Sequence, residues 1–117
     1  MLSKRYRLKS PALFKRTLDS VRLCANRCFV VYALSRKSDE APANPRFGFI
    51  VSKKVSLNAT DRNRIKRRLR EIIRRDVLPS GKAGAYTAVV VIARSAMVQA
   101  PYAEIRRLLA GCFGCEG

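Results

Sequence analysis

The chain has 117 residues, which fits one domain of the common size of about 100–150 residues and leaves no room for a second. Apolar residues make up 48% of it, too many for a disordered chain, yet 25 Lys and Arg against 8 Asp and Glu leave a net charge of +17. Self-repulsion of that size calls for a polyanionic partner, and the absence of His removes His-based triads, acid–base pairs and His-metal sites.

The basic start, Lys4-Arg5-Tyr6-Arg7-Leu8-Lys9, leads into no apolar run of signal-peptide length. The longest apolar stretch, Ala88 to Ala93, is far below a membrane span, so a cytoplasmic chain without a membrane partner is expected. Ser10 and Pro11 read as an N-cap and a first helical residue, opening a helix of about 11–20 with Leu13, Phe14, Thr17, Leu18 and Val21 at helical spacing. A short strand is possible in 20–27. Cys28 to Leu34 is β-branched and aromatic, hence a strand, in which Phe29, Val31 and Ala33 alternate with Val30, Tyr32 and Leu34. Alternation puts Tyr32 on a face that can stay open.

Ser35 to Pro45 carries charge, Ser and two prolines, and reads as a loop between antiparallel strands. Arg46 to Ser52 is the next strand, where Gly48 permits close approach of another group. Asn58, Thr60 and Asp61 offer caps for a helix reaching about Leu78, which Pro79, Gly81 and Gly84 terminate. Tyr86 to Ala93 is a continuous apolar run suited to a central buried strand. Pro101 opens a last helix of about 102–112 with Ile105, Leu108, Leu109 and Cys112 inward. The elements predict an α+β sandwich of a small sheet with helices.

Charge is concentrated. Residues 46–75 hold eleven basic side chains against two acids, and residues 1–27 hold eight against one. Within 62–75, Ile65, Leu69, Ile72 and Ile73 form one core-facing stripe, and Asn63, Arg67, Arg70 and Arg74 lie nearly opposite. Arg62, Arg64, Lys66, Arg68 and Arg75 fill the flanks, and Glu71 is within helical reach of Arg67 and Arg75. A solvated face normally interleaves Glu with Lys; here Arg outnumbers Lys seven to one. Planar guanidinium groups grip phosphate bidentately and stack on bases, so the face reads as a nucleic-acid contact. The opposite stripe is needed for the core and lacks Trp or Phe, which disfavours a membrane surface. Strands argue against an all-helical DNA reader, while aromatics on an open sheet suit unpaired RNA, although Phe14 and Tyr32 taken singly are ordinary core residues.

The cysteines occur as Cys24-x3-Cys28 and Cys112-x2-Cys115. With no His and 83 residues between the pairs, a zinc site is not expected, nor is a disulfide in a chain that reads as cytosolic.

The run Arg46-Phe-Gly-Phe-Ile-Val-Ser-Lys-Lys-Val55, followed by Arg62-Asn-Arg-Ile-Lys-Arg-Arg-Leu-Arg-Glu-Ile-Ile-Arg74, closely resembles the bacterial ribonuclease P protein component. Gly48, Val51 and Ser52 stand at matching positions, and so do the charged residues assigned below. Arg7-Leu8 with Phe14, Phe29-Val-Val-Tyr32 and Val89-Val-Val-Ile-Ala-Arg94 extend the similarity over nearly the whole chain. Ser56, Thr60 and Leu18 depart from the family's usual Gly, Val and second aromatic.

The resemblance implies one RNA-binding domain over 1–117. Its mixed four-stranded sheet would follow the order α-β-β-β-α-β-α, with a left-handed β-α-β crossover where general rules favour the right-handed one. It implies a subunit that joins one catalytic RNA to remove 5′ leaders from precursor tRNA, the RNA with bound Mg²⁺ hydrolysing the phosphodiester. RNA contacts would fall on Arg46, Lys53, Lys54, Arg62, Asn63, Arg64, Lys66, Arg67, Arg70 and Arg74, and leader contacts on Phe14, Leu18 and Tyr32. The protein itself is expected to be monomeric, with no catalytic or metal-binding side chains; its acids are scattered, and Asp39-Glu40 is the one adjacent pair. A small ribosomal protein and a protein-only nuclease are the competing readings. They are separated by the RNA that copurifies and by cleavage of precursor tRNA without added RNA.

Overall fold

The computed structural model describes residues 3–36 and 44–114. The first helix, α1, spans Pro11–Leu18, and the Ser10 hydroxyl accepts the Leu13 amide as its cap. It ends short of the expected residue 20. Val21 leaves the helical pattern, pairs with Ala33 as the first residue of β1 (Val21–Ala25), and is 66% exposed. β-branched Val21 fits a strand, and cross-strand pairing outweighs a helical spacing that it satisfied by coincidence.

The remaining elements follow the expected order: β2 (Phe29–Ser35), β3 (Arg46–Ile50), α2 (Ala59–Ile72), β4 (Tyr86–Ala93) and α3 (Tyr102–Cys112). β3 stops at Ile50, and Ser52 lies in the turn that follows. Asn58 caps α2 by accepting the Thr60 amide. The helical path continues to Val77, but its last turn, Ile73–Val77, is a π turn in which the Leu78 amide donates to the Ile73 carbonyl. The wider turn keeps Ile72, Ile73 and Val77 all in the core.

The sheet order is β1-β2-β4-β3. β1 with β2 and β2 with β4 are antiparallel, while β3 runs parallel to β4, making the sheet mixed. β2 and β3 therefore point in opposite directions but do not pair, because β4 inserts between them. α2 is the crossover that joins the parallel neighbours β3 and β4. Residues 37–43 of the expected 35–45 loop, with Asp39 and Glu40, lie outside the described residues.

The two faces of the sheet are covered unequally. Phe29, Val31, Phe47, Val89 and Val91 pack with Ile65, Leu69 and Ile72 of α2 and with Ile105 and Leu109 of α3 into the main core. On the other face Leu8, Ala88 and Val90 are buried under Leu13, Phe14 and Leu18 of α1, which lies across β2 and β4. That second layer is a single short helix.

The expectation that the cysteines form no disulfide is overturned. Cys24 of β1 and Cys112 at the end of α3 form a disulfide, with Cα atoms 5.9 Å apart across 88 residues of sequence. Cys28 is a buried thiol whose pKa burial pushes up, and Cys115 lies outside the described residues. A cytosolic reading carries no geometry; the fold brings the end of α3 to β1 and sets Cys112 beside Cys24. Arg27, which donates to both carboxylate oxygens of Glu104 at 2.7 and 2.8 Å, joins the same two regions.

Candidate nucleic-acid interface

Helical periodicity divides α2 as the sequence requires. Ile65, Leu69, Ile72 and Ile73 are fully buried, and Asn63, Arg67 and Arg74 are exposed on the opposite side, with Lys66 and Arg70 half-buried beside them. Asn63, Lys66, Arg67, Arg70 and Glu71 line an open depression of about 510 Å³. Glu71 pairs with Arg74 and Arg75, not with Arg67 as expected; the Arg74 hydrogen bond holds its carboxyl below the usual carboxylate range. Asp61 approaches Arg64 at 3.6 Å. The helix's two acids are thus taken, and among the described residues Lys66, Arg67, Arg68 and Arg70 have no carboxylate within ion-pair distance. Arg62 serves the local fold, donating to the Ser56 carbonyl at 2.9 Å.

Arg70 carries this face toward the sheet. Its guanidinium lies 5.9 Å from the centroid of the Phe49 ring, a cation–π distance. Burial, and then repulsion from Arg7, lower its pKa, so two cations converge at the β3 edge. The N-terminal segment reaches that edge because the Leu8 amide donates to the Phe47 carbonyl at 2.9 Å. Arg7, Lys9, Phe14, Gly48, Phe49 and Arg70 line a depression of about 170 Å³ there. Lys53 and Lys54, exposed in the turn after β3, and Arg46, exposed at its start, flank the same edge.

Strand register defines the α1 side of the sheet. Arg22, Tyr32, Val90 and Gly48 form one continuous row across all four strands, and Ala25, Val30, Ile92 and Ile50 form the adjacent row. Paired residues project to the same face, so Tyr32 shares the α1 side with half-buried Val30, Ile50 and Ile92. Phe14 closes one end of the row. A Cβ on Gly48 would stand 2.3 Å from Phe14 Cζ, so glycine is what allows the ring to rest on β3. The close approach inferred for Gly48 is met by Phe14 itself, which gives this aromatic a packing role. Leu18 packs on the same layer. Two strand spacings, roughly 10 Å, separate the Gly48 end from Tyr32, and Val90 between them is fully buried under α1.

The model of the Ribonuclease P family matches residues 2–115. The chain belongs to the ribonuclease P protein family. It is 38% identical over 116 residues to the ribonuclease P protein component of Symbiobacterium thermophilum, covering 99% of this chain and 95% of that one. A Bacillus cereus relative of the same description is 37% identical over 118 residues, with the same coverage. The Staphylococcus aureus RNase P protein structure superposes with a TM-score of 0.74 at 35% identity, covering 93% of each chain. The Thermotoga maritima RNase P protein gives 0.72 at 28% identity over 97% of this chain and 100% of the other. The family likeness carried by the Arg46–Val55 and Arg62–Arg74 runs thus extends to the whole fold, and the ribosomal reading falls away.

Sequence reasoning passed over Val30, Ile50, Ile92, Arg7, Lys9 and Tyr102. Strand alternation does relate Val30 to Tyr32 and Ile50 to Gly48. Nothing in the sequence reveals which face a one-helix layer leaves uncovered, or that the N-terminal segment lies along β3.

Proposed function

We propose that the chain is the single-domain RNA-binding subunit of ribonuclease P. In this reading the α2 face holds the catalytic RNA, and the cleft between α1 and the sheet holds the single-stranded 5′ leader of precursor tRNA. The observation that carries it is the run of cations lacking carboxylate partners on α2, joined through Arg70 to the depression at the β3 edge, on the sheet face that also bears half-buried Tyr32. Asn63, Arg67, Arg70 and Arg74 would face RNA phosphates, with Arg64 and Lys66 at their flanks and Arg62 fixing the helix start. Arg46, Lys53 and Lys54 would meet the backbone entering the cleft. Tyr32, Phe14 and Leu18 supply surfaces on which unpaired bases stack or pack whatever their sequence.

Hydrolysis is assigned to the RNA with its Mg²⁺. Asp61, Glu71, Asp76 and Glu104 are each held by arginine, which is unsuited to chelating a divalent ion. The chain's contribution is positional: contacts made to the leader alone favour precursor over mature tRNA and so allow product release. The protein would act as a monomer within a cytoplasmic ribonucleoprotein.

Reconstitution with a ribonuclease P RNA transcribed in vitro tests this. The chain should raise precursor cleavage at limiting Mg²⁺ and cleave nothing by itself. Tyr32→Ala should weaken precursor binding about five- to a hundredfold while mature tRNA binding changes little. Phe14→Ala should do the same at a cost in stability, since its ring also packs on Gly48. Equal losses for both tRNAs in a stably folded variant would remove the leader cleft.

A further inference from the structure

A second concave site lies on the other side of α2. Arg64, Arg67, Arg68, Glu71 and Tyr102 line an open groove of about 560 Å³ between α2 and the first turn of α3, a volume within the range of ligand pockets. Tyr102 is half-buried against the main core, so its ring is held rather than swinging in solvent. The two walls are tied together as well. Asp76, beyond α2, accepts from Arg106 of α3 at 2.7 and 3.0 Å, and Glu104, two residues after Tyr102, is clamped by Arg27.

The charge pattern selects the occupant. Arg64 and Arg67 are exposed, and Arg67 and Arg68 have no carboxylate at ion-pair distance among the described residues. Glu71, half-buried in the same groove, is taken up by Arg74 and Arg75 and offers a phosphate no donor. Phosphates therefore suit the arginine rim, and an uncharged planar group suits the ring. An unpaired nucleotide has both parts, and a preformed groove takes it with little ordering cost.

We propose that the α2–α3 groove receives one unpaired nucleobase of the catalytic RNA, stacked on Tyr102, with its flanking phosphates on Arg64, Arg67 and Arg68. This rests on the reading of α2 as the RNA-binding face and adds a base contact to it. Tyr102 becomes the residue that fixes the register of the RNA along α2, a task phosphate contacts perform poorly because phosphates repeat at every nucleotide.

The test uses the full chain with ribonuclease P RNA transcribed in vitro. Tyr102→Leu should weaken binding about five- to a hundredfold and leave the log–log salt slope unchanged, whereas Tyr102→Phe should bind like the parent. The chain contains no Trp, so Tyr102→Trp installs one indole whose emission should be quenched by the RNA alone, before precursor tRNA is added. A folded Tyr102→Leu variant with parental affinity, or an indole that saturating RNA does not quench, overturns the groove while leaving α2 as the RNA face. Quenching that requires precursor tRNA overturns the assignment to the catalytic RNA. A parent chain with no affinity for the RNA overturns both readings.

Discussion

α2 and α3 pack side by side on the same face of the sheet, yet Arg106 of α3 and the central arginines of α2 stand in opposite circumstances. Arg106 of α3 grips Asp76 with two hydrogen bonds, Glu104 of α3 is gripped by Arg27, and Cys112 anchors the end of the helix to β1. α2 carries eight cations in 62–75 against one acid, and its central cations have no carboxylate partner among the described residues. Arg106 and Arg27 close contacts within the fold, whereas Lys66, Arg67, Arg68 and Arg70 of α2 meet no carboxylate among the described residues. The difference lies in where the carboxylates are, because Arg is the residue in both places. A basic surface is informative only after the internal pairs have been subtracted.

The largest effect is expected on the α3 side. Cys24→Ser with Cys112→Ser should lower the unfolding free energy by about 2–4 kcal/mol, since the link closes a loop spanning 88 residues. RNA affinity of the folded protein should not change. Denaturant melts with and without reductant check this, and coincident melts for the parent would show that the link contributes nothing to stability.

On α2 the expectation reverses. Arg67→Ala combined with Arg70→Ala should flatten the log–log salt dependence of RNA binding by about two units, with melting little changed. An unaltered slope would place that face in solvent and erase the contrast between the helices.

Arg106→Ala sharpens the comparison from the other direction. Its side chain is 48% exposed, so losing the pair with Asp76 should change the melting temperature little. The salt slope of RNA binding should stay as in the parent. A drop in slope equal to that of an α2 variant would mean that α3 arginines also meet phosphate.

The smallest effect concerns Glu71. The hydrogen bond from Arg74 lowers its pKa below the ordinary 4.5. Its contribution to stability is therefore complete above that value and is lost as pH falls through the depressed one. Glu71→Gln should lower the melting temperature slightly near neutrality and make it less sensitive to pH below 4.5. Melting curves of parent and variant that stay parallel through the acid range would show that the carboxylate is not engaged with Arg74.

Legibility differed between local and non-local features. α2 and its two stripes were readable because helical period, cap and charge all lie within about twenty consecutive residues, and β4 because a run of apolar residues bounded by Gly and Tyr has few alternatives. The end of α1 was not, since Val21 satisfied a helical spacing and a strand pairing at once and only β2 decided between them. The sheet face on the α1 side was half readable: alternation marked Tyr32, but Val30, Ile50 and Ile92 joined it on that face only once the strands stood in register.

By itself the sequence determined the helix caps, the polarity of α2, the strand character of 28–34 and 86–93, and the demand for a polyanionic partner. Each follows from side-chain chemistry acting over a few residues, or from a charge total that needs no coordinates. The tertiary structure alone decided that β4 separates β2 from β3, that Cys24 meets Cys112, that Phe14 rests on Gly48, and that Tyr102 faces the arginines of α2. All four are contacts between residues far apart in the chain. Their formation depends on how layers close over one another, and chain spacing carries no record of which distant surfaces will be brought together.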